Sequence, residues 1–249
     1  MSLIIKPGRE FLKSDRWEEW RQSDYDQKRH VPRPPLEKPA PAGALQIELP
    51  AAEILTVGQI SVCQAIRQRR SRRSFSSEPL SLEELTFLLW ATQGISGGKN
   101  TLRSVPSGGA CHPFETYLAL QRVSGLEPGL YRYLAIEHRL CLLRADPEIA
   151  TQVATACSQN FAGDSAVTFI WTAIPYRTEW RYSFLAPKLI ALDAGHVCQN
   201  LYLACEAIGA GTCAMDAYDQ NQMDAFLGVD GKDEFTVYMA PVGKIKPEE

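Results

Sequence analysis

The chain has 249 residues, 45% of them hydrophobic, which is enough to bury one large core or two small ones. A formal net charge of −3 argues against a surface built as a whole for nucleic acid or anionic membrane, so any basic site must be local. Seven scattered cysteines without a Cys-x-x-Cys pair read as buried thiols, with no metal site, and no apolar run approaches the ~20 residues of a membrane span, so a cytoplasmic protein is expected.

Residues 1–58 read as a proline-rich arm and residues 59–249 as the folded domain. The first six residues are too short and too soon charged for a signal peptide. Pro32, Pro34, Pro35, Pro39 and Pro41 exclude regular helix and central strand over their interval and preset an extended path. Residues 11–20 mix Trp17 and Trp20 with charges, which predicts a short helix packing its indoles on something. Two tryptophans are unusual in a disordered tail, so the arm reads as an ordered wrap, with a partner subunit as one surface it could cover.

Ser61, with Gln64 three residues on, predicts a capped helix with Val62, Ala65 and Ile66 on one face. Ser81 and Glu84 form a capping box for a second helix that puts Leu82, Leu85, Leu88 and Leu89 inward and stops at Gly94. A flexible loop over residues 96–100 follows, then Pro106-Ser107-Gly108-Gly109 and a strand near residues 115–123. Residues 130–134 and 139–144 resemble a hairpin, Asp146-Pro147 opens a helix to about Cys157, and the apolar run 166–174 predicts a buried central strand. The longest helix runs from about Ala186 or Lys188 to Ile208 and ends at Gly209, with Asp193, His196 and Asn200 on one face. A short strand over 211–215, a helix capped by Asp219 and a final strand over 235–242 complete an α/β or α+β pattern.

Arg67, Arg69, Arg70, Arg72 and Arg73 place five guanidinium groups within seven residues, a repulsive arrangement that an anion would relieve. A phosphate site, a solvated charged face and a nucleic-acid patch all fit this segment alone. The small residues of Pro106-Ser107-Gly108-Gly109 and of 209–216 expose backbone amides and admit close approach of a planar ring, although most such stretches are turns. His112 reads as a structural hydrogen-bonder. Neither a G-x-G-x-x-G nor a P-loop is present.

Taken in order, the segments from about residue 60 to 242 resemble the FMN-dependent nitroreductase superfamily, most closely its branch of SagB-type dehydrogenases, and the proline-rich arm is in keeping with that branch. The resemblance implies an α+β, three-layer fold with a central, mainly antiparallel sheet flanked by helices, in an obligate homodimer with flavin sites at the subunit interface. It implies that Arg69, Arg70, Ser71 and Arg73 bind the FMN phosphate and ribityl chain, with Phe75 as the usual aromatic and Arg72 as the outward neighbour. Pro106, Ser107, Gly108 and Gly109 would lie against the flavin, often from the other subunit. Ala214, Met215, Asp216 and Ala217 would face the isoalloxazine ring with their backbone amides, and Lys244 or Lys246 would be the C-terminal base on the phosphate. Asp193, His196 and Asn200 match the long-helix signature and read mainly as buried hydrogen-bonding residues.

Branch members that oxidise azoline rings carry a lysine-tyrosine pair upstream of that helix, where this chain has Arg181-Tyr182. Arginine stays protonated and cannot act as a general base, which disfavours azoline oxidation and leaves Tyr182 as an acid or hydrogen-bond donor. The expected function is FMN-dependent transfer of hydride or electrons between NAD(P)H or an organic donor and a small nitroaromatic or quinone acceptor. Alternatives are a substrate-specific flavin dehydrogenase in which Arg181 and Tyr182 orient the substrate, a flavin binder without turnover, and a nucleic-acid or anionic-partner binder using residues 67–73.

Overall fold

The computed structural model describes residues 5–97 and 102–246. In chain order its elements are α1 (Ile5–Leu12), α2 (Trp17–Gln22), β1 (Gln46–Glu48), α3 (Val62–Gln68), α4 (Leu82–Gln93), β2 (Ile95–Gly97), β3 (Leu102–Arg103), β4 (Phe114–Leu120), β5 (Gly129–Leu134) and β6 (Arg139–Ala145). These are followed by α5 (Ile149–Cys157), α6 (Asn160–Gly163), β7 (Val167–Ala173), α7 (Tyr176–Tyr182), α8 (Ala186–Ala207), β8 (Ala210–Thr212), α9 (Gln220–Leu227) and β9 (Phe235–Lys244). Seven strands form one antiparallel sheet in the order β1-β6-β5-β4-β7-β9-β8, and β2 and β3 pair separately.

Strand alternation sends successive side chains to opposite faces, and both faces are covered. Leu118, Leu120, Phe169 and Trp171 join Leu85, Leu88 and Leu89 of α4 and Val197 and Leu201 of α8 in one cluster. Their neighbours Tyr117, Ala119 and Ile170 join Ile149 and Val153 of α5 and Met223 and Leu227 of α9 in the other. This is the expected α+β arrangement of helices on both sides of a central antiparallel sheet. It also explains why β7 is an uninterrupted apolar and β-branched run: every residue in it is buried.

The local signals hold where backbone chemistry is local. Ser61 accepts from the Gln64 amide at 3.1 Å, Ser81 and Glu84 complete their capping box, and Asp219 accepts from the Gln222 amide at 2.9 Å. Some expectations are corrected. Of the α3 trio only Ala65 is buried, whereas Val62 and Ile66 stay 70% and 58% exposed because α3 covers the domain with one narrow face. Residues 96 and 97 belong to β2, and the rest of the expected loop, 98–100, lies outside the described residues. The helix expected near Trp17 is two helices broken at residues 13–16. The helix α7 had no sequence signal.

The arm lies on its own chain. Its proline-rich stretch leaves carbonyls without sheet partners, and three arginines from distant elements take them. Arg177 Nε donates to Pro35 O at 2.8 Å, Arg103 Nη2 to Leu36 O at 3.0 Å, and Arg132 Nη2 to Lys38 O and Pro39 O at 3.1 and 2.7 Å. Beneath this clasp Arg177 also pairs with the buried Glu115, and Lys38 pairs with Glu234. Further on, β1 adds an edge strand to β6.

Candidate functional site

The chain leaves α3 at Arg69 and runs beside β8 as an extra edge strand. Ser71 bridges Thr212, the Arg72 amide donates to Thr212 O at 2.9 Å, and Phe75 bridges Ile245 with its ring buried. In an extended segment neighbouring side chains point to opposite sides. Arg72 accordingly turns inward and pairs with the carboxylate of Glu206 on α8, which also accepts the Arg70 amide at 3.2 Å. It is the partner of a buried acid, where an outward neighbour was expected. Gly211 is the residue that makes room for it, since a Cβ there would lie 2.7 Å from Arg72 Cδ.

Ser71 and Arg73 point the other way and are exposed. The Arg69 guanidinium stands over the Tyr202 ring, 5.4 Å from its centroid. Arg70 turns back to donate to the carbonyls of Arg67 and Arg69, at 3.1 and 2.9 Å. Among the described residues Arg73 has no ion pair. The Tyr202 hydroxyl sits 3.1 Å from Ser71 Oγ and accepts the Ala214 amide at 2.9 Å, so it joins the arginine edge to the turn after β8. Sequence reasoning missed this residue; a tyrosine on the inner face of a long helix, whose hydroxyl must find a partner, was the available signal. In that turn Met215 is fixed by paired backbone bonds with Met239, while Asp216 and Ala217 are exposed. Lys244 is committed to Glu84 and to Ile208 O, leaving Lys246 as the exposed base.

The second cluster surrounds the turn 106–112. Ser107 Oγ donates to Asp193 Oδ2 at 2.5 Å and accepts the His112 amide at 2.9 Å, while the Gly108 amide donates to Asp193 Oδ1 at 3.1 Å. Asp193 is 3% exposed, and burial pushes its carboxyl above the usual range against the opposing pull of those two donors. Gly109, Ala110 and His112 all have positive φ, so this carboxylate holds a strained loop in place. His196, expected to be buried, is half exposed with Nδ1 3.9 Å from Asp193 Oδ1; Asn200 bonds to Ala91 O at 2.8 Å.

The end of α7 closes over the same turn. Arg181 Nη1 reaches Gly109 O at 3.5 Å, and a Cβ on Gly109 would fall 2.6 Å from the Tyr182 hydroxyl. Burial pushes the Tyr182 phenol up while the Arg181 guanidinium opposes it, so the group is a neutral hydrogen-bond donor near neutral pH. Beside α7 a cavity of about 710 Å³ is lined mainly by apolar residues, among them Ile174, Pro187, Ile190 and Phe235, with Glu179 and Lys232 also lining it. The structure thus groups Arg69, Ser71 and the turn at Ala214 around Tyr202, with Arg73 exposed two residues beyond Ser71. It groups Pro106–Gly109, Arg181 and Tyr182 around Asp193. The two anchors are nine residues apart on α8, roughly 13 Å along its axis.

Residues 66–244 match the family model described as "Nitroreductase family". The chain belongs to the nitroreductase family. It is 30% identical over 201 residues to MJ1384 of Methanocaldococcus jannaschii, named as a candidate nitroreductase, covering 80% of this chain and 96% of that protein. It is 25% identical over 199 residues to the trifolitoxin-processing protein TfxB of Rhizobium leguminosarum bv. trifolii, covering 74% of this chain and 52% of that one. This distant relationship accords with the resemblance to the SagB-type branch. A candidate nitroreductase from Ralstonia eutropha has the same fold, with a TM-score of 0.69 and 25% identity over 87% of this nitroreductase-family chain and all of that one. No helix among the described residues is long and apolar enough to cross a membrane.

Proposed function

We propose that this nitroreductase-family protein is an FMN-dependent oxidoreductase working as a homodimer, passing hydride or electrons from NAD(P)H or an organic donor to a small nitroaromatic or quinone acceptor. The observation that carries the reading is the arginine edge. In a protein of net charge −3, the fold satisfies Arg72 with Glu206 and yet leaves Arg69 and Ser71 beside Tyr202 and the turn after β8, with Arg73 exposed next to them in the chain. Paired N–H groups of guanidinium and a hydroxyl suit a phosphate, and a phosphate relieves their repulsion.

FMN, when bound, supplies the hydride and electron transfer. Arg69, Ser71 and Arg73 would hold its phosphate and ribityl chain with Lys246 nearby, and residues 214–217 would border its ring. The turn Pro106–Gly109 of one subunit would close the site of the other, an arrangement that suits two clusters standing apart on α8. Support for such pairing comes from Val62, Ile66 and Leu192, apolar side chains left more than half exposed on α3 and α8. The mainly apolar cavity beside α7 offers room for a small substrate. A nucleic-acid role for residues 67–73 is disfavoured, because Arg72 and Arg70 are occupied within the chain.

A substrate-specific dehydrogenase is the second reading, favoured by the enclosure of Tyr182 against Gly109 and by the relationship to TfxB. The test is the visible absorption of the purified protein followed by anaerobic titration with NADH and NADPH. A yellow protein bleached rapidly by either supports the reductase. One that stays oxidised with both supports the dehydrogenase, and failure to take up added FMN refutes both.

A further inference from the structure

The aromatic residues of the arm converge on one side chain. Trp17 meets the Tyr182 ring edge-on at 6.1 Å, Trp20 lies 5.8 Å from it, the two indoles are 5.4 Å apart, and Tyr25 stacks on Trp20 at 4.9 Å. Trp20 also makes a polar contact that fixes the helix. Tyr182 is the last residue of α7, whose terminal carbonyls have no intrahelical donors, and Trp20 Nε1 donates to Arg181 O at 3.1 Å. The next residue, Ser183, has φ 47° and ψ −127°, a costly conformation outside glycine that persists only where the surroundings impose it. Around this corner the arm is fastened to α7 at several further points. Trp180 Nε1 donates to Val31 O at 2.8 Å, the Gln27 amide to Trp180 O at 2.9 Å, and Tyr176 to Asp26 at 2.7 Å.

We propose that Trp20, with Trp17 beside it, is a positioning residue that presses the Tyr182 phenol against the Pro-Ser-Gly-Gly turn, making the N-terminal arm a wall of the reaction site. The inference rests on the flavin oxidoreductase reading and extends it to residues outside the matched family segment of 66–244. Capping of α7 fixes the backbone at Tyr182, the indoles exclude other orientations of its ring, and Gly109 leaves a slot without a Cβ for its hydroxyl. The titratable groups facing the phenol are Arg181 on its own helix, Asp193 on α8 and Cys111 after the turn; the arm faces it with the indoles. Removing an indole therefore admits water and moves the phenol's titration down toward the ordinary value of about 10.

The experiment compares Trp20→Ala, Trp20→Phe, Tyr182→Phe and the Trp20→Ala/Tyr182→Phe double variant in the full chain, using NADPH oxidation with menadione as acceptor, FMN affinity and ultraviolet tyrosinate titration. Trp20→Ala should lower kcat by roughly 10- to 100-fold, the scale on which a misplaced site group acts, with FMN affinity unchanged. Trp20→Phe, which keeps a ring and loses the N–H, should fall between. The double variant should be no slower than Tyr182→Phe, and one tyrosine should titrate lower in Trp20→Ala but not in the double variant. Unchanged kcat in Trp20→Ala, or losses that simply multiply, would overturn the proposal. If Trp20→Ala does not fold, Trp20→Phe carries the same comparison. If the protein takes up no FMN, the functional reading fails, and the tyrosinate titration alone decides whether Trp20 positions Tyr182.

Discussion

Arg72→Ala should weaken the fold and spare cofactor affinity, whereas Arg69→Ala and Arg73→Ala should do the opposite. The Arg72 side chain is 25% exposed and its partner Glu206 only 5% exposed, so truncation strands a carboxylate in the interior. Breaking a fully buried pair this way costs about 3–5 kcal/mol. Here the retained Arg70 amide at 3.2 Å and water entering the vacated channel offset part of the loss. About 2 kcal/mol remains, in the range of a hydrogen bond to a charged group. In a chain of this size that is a fall in Tm of about 4–8 °C. Arg69 is half-buried and Arg73 exposed, and among the described residues neither pairs with an acid, so their removal should leave Tm within about 2 °C. Each should instead weaken FMN binding by roughly 10- to 100-fold, the equivalent of one charge-assisted contact. The measurements are thermal unfolding of the flavin-free protein and fluorescence quenching on titration with FMN. Adding Glu206→Gln to Arg72→Ala should recover part of the lost Tm, because a buried amide costs less than a stranded charge. Equal effects of all three arginines on both readouts would refute the division of the segment into an inward and an outward side.

Gly211→Ala should destabilise by about 1–3 kcal/mol, since its Cβ would meet Arg72 Cδ at 2.7 Å and Cβ at 2.9 Å, and the Cβ cannot swing away as a side-chain tip can; thermal unfolding would show this. Asp193→Asn gives a pH-dependent comparison. The folded-state pKa of Asp193 is raised above the ordinary aspartate value of 3.8, so between that value and the raised one the native state binds more protons than the unfolded state. The Asp193 contribution is therefore fully present below 3.8 and is lost as pH rises through the folded pKa. Wild type should gain in Tm relative to Asp193→Asn as pH falls from 7 toward 4, and a difference independent of pH would count against the burial argument.

Helix ends, the hairpin and the central strand were legible because their causes sit within a few residues of their effects. The Ser81–Glu84 capping box and the apolar run of β7 need no distant partner to be recognised. The helix α7 was not legible for the opposite reason. Its sequence, with two arginines and three aromatic residues in seven positions, shows no apolar stripe, and Arg177 is buried only because Glu115 and the Pro35 carbonyl, 62 and 142 residues away in sequence, meet it there. The arm's path had the same difficulty. Its prolines predict extension, but nothing local identifies Arg103, Arg132 and Arg177 as the donors that take its carbonyls. Within the site, residue spacing identified the arginine segment, while the inward turn of Arg72 depended on Glu206, 134 residues on.

The common support of the site is α8. Asp193 anchors the strained turn, Tyr202 ties Ser71 to Ala214, and Glu206 receives Arg72, so three polar positions on one helix fix both clusters. A 22-residue helix buried along one face is a stiffer spacer than any loop, and its rise per residue sets the distance between the clusters. The aromatic stretch of the arm and the end of α7 meet the Asp193 end, through Tyr182 and Gly109. Substitutions in the arm should consequently alter the environment of a substrate at that end while leaving the arginine edge intact. Substitutions at Tyr202 or Glu206 should disturb the arginine edge first. On the proposed function, this separation would let one scaffold keep a cofactor contact constant while a second, independently packed segment shapes what approaches it.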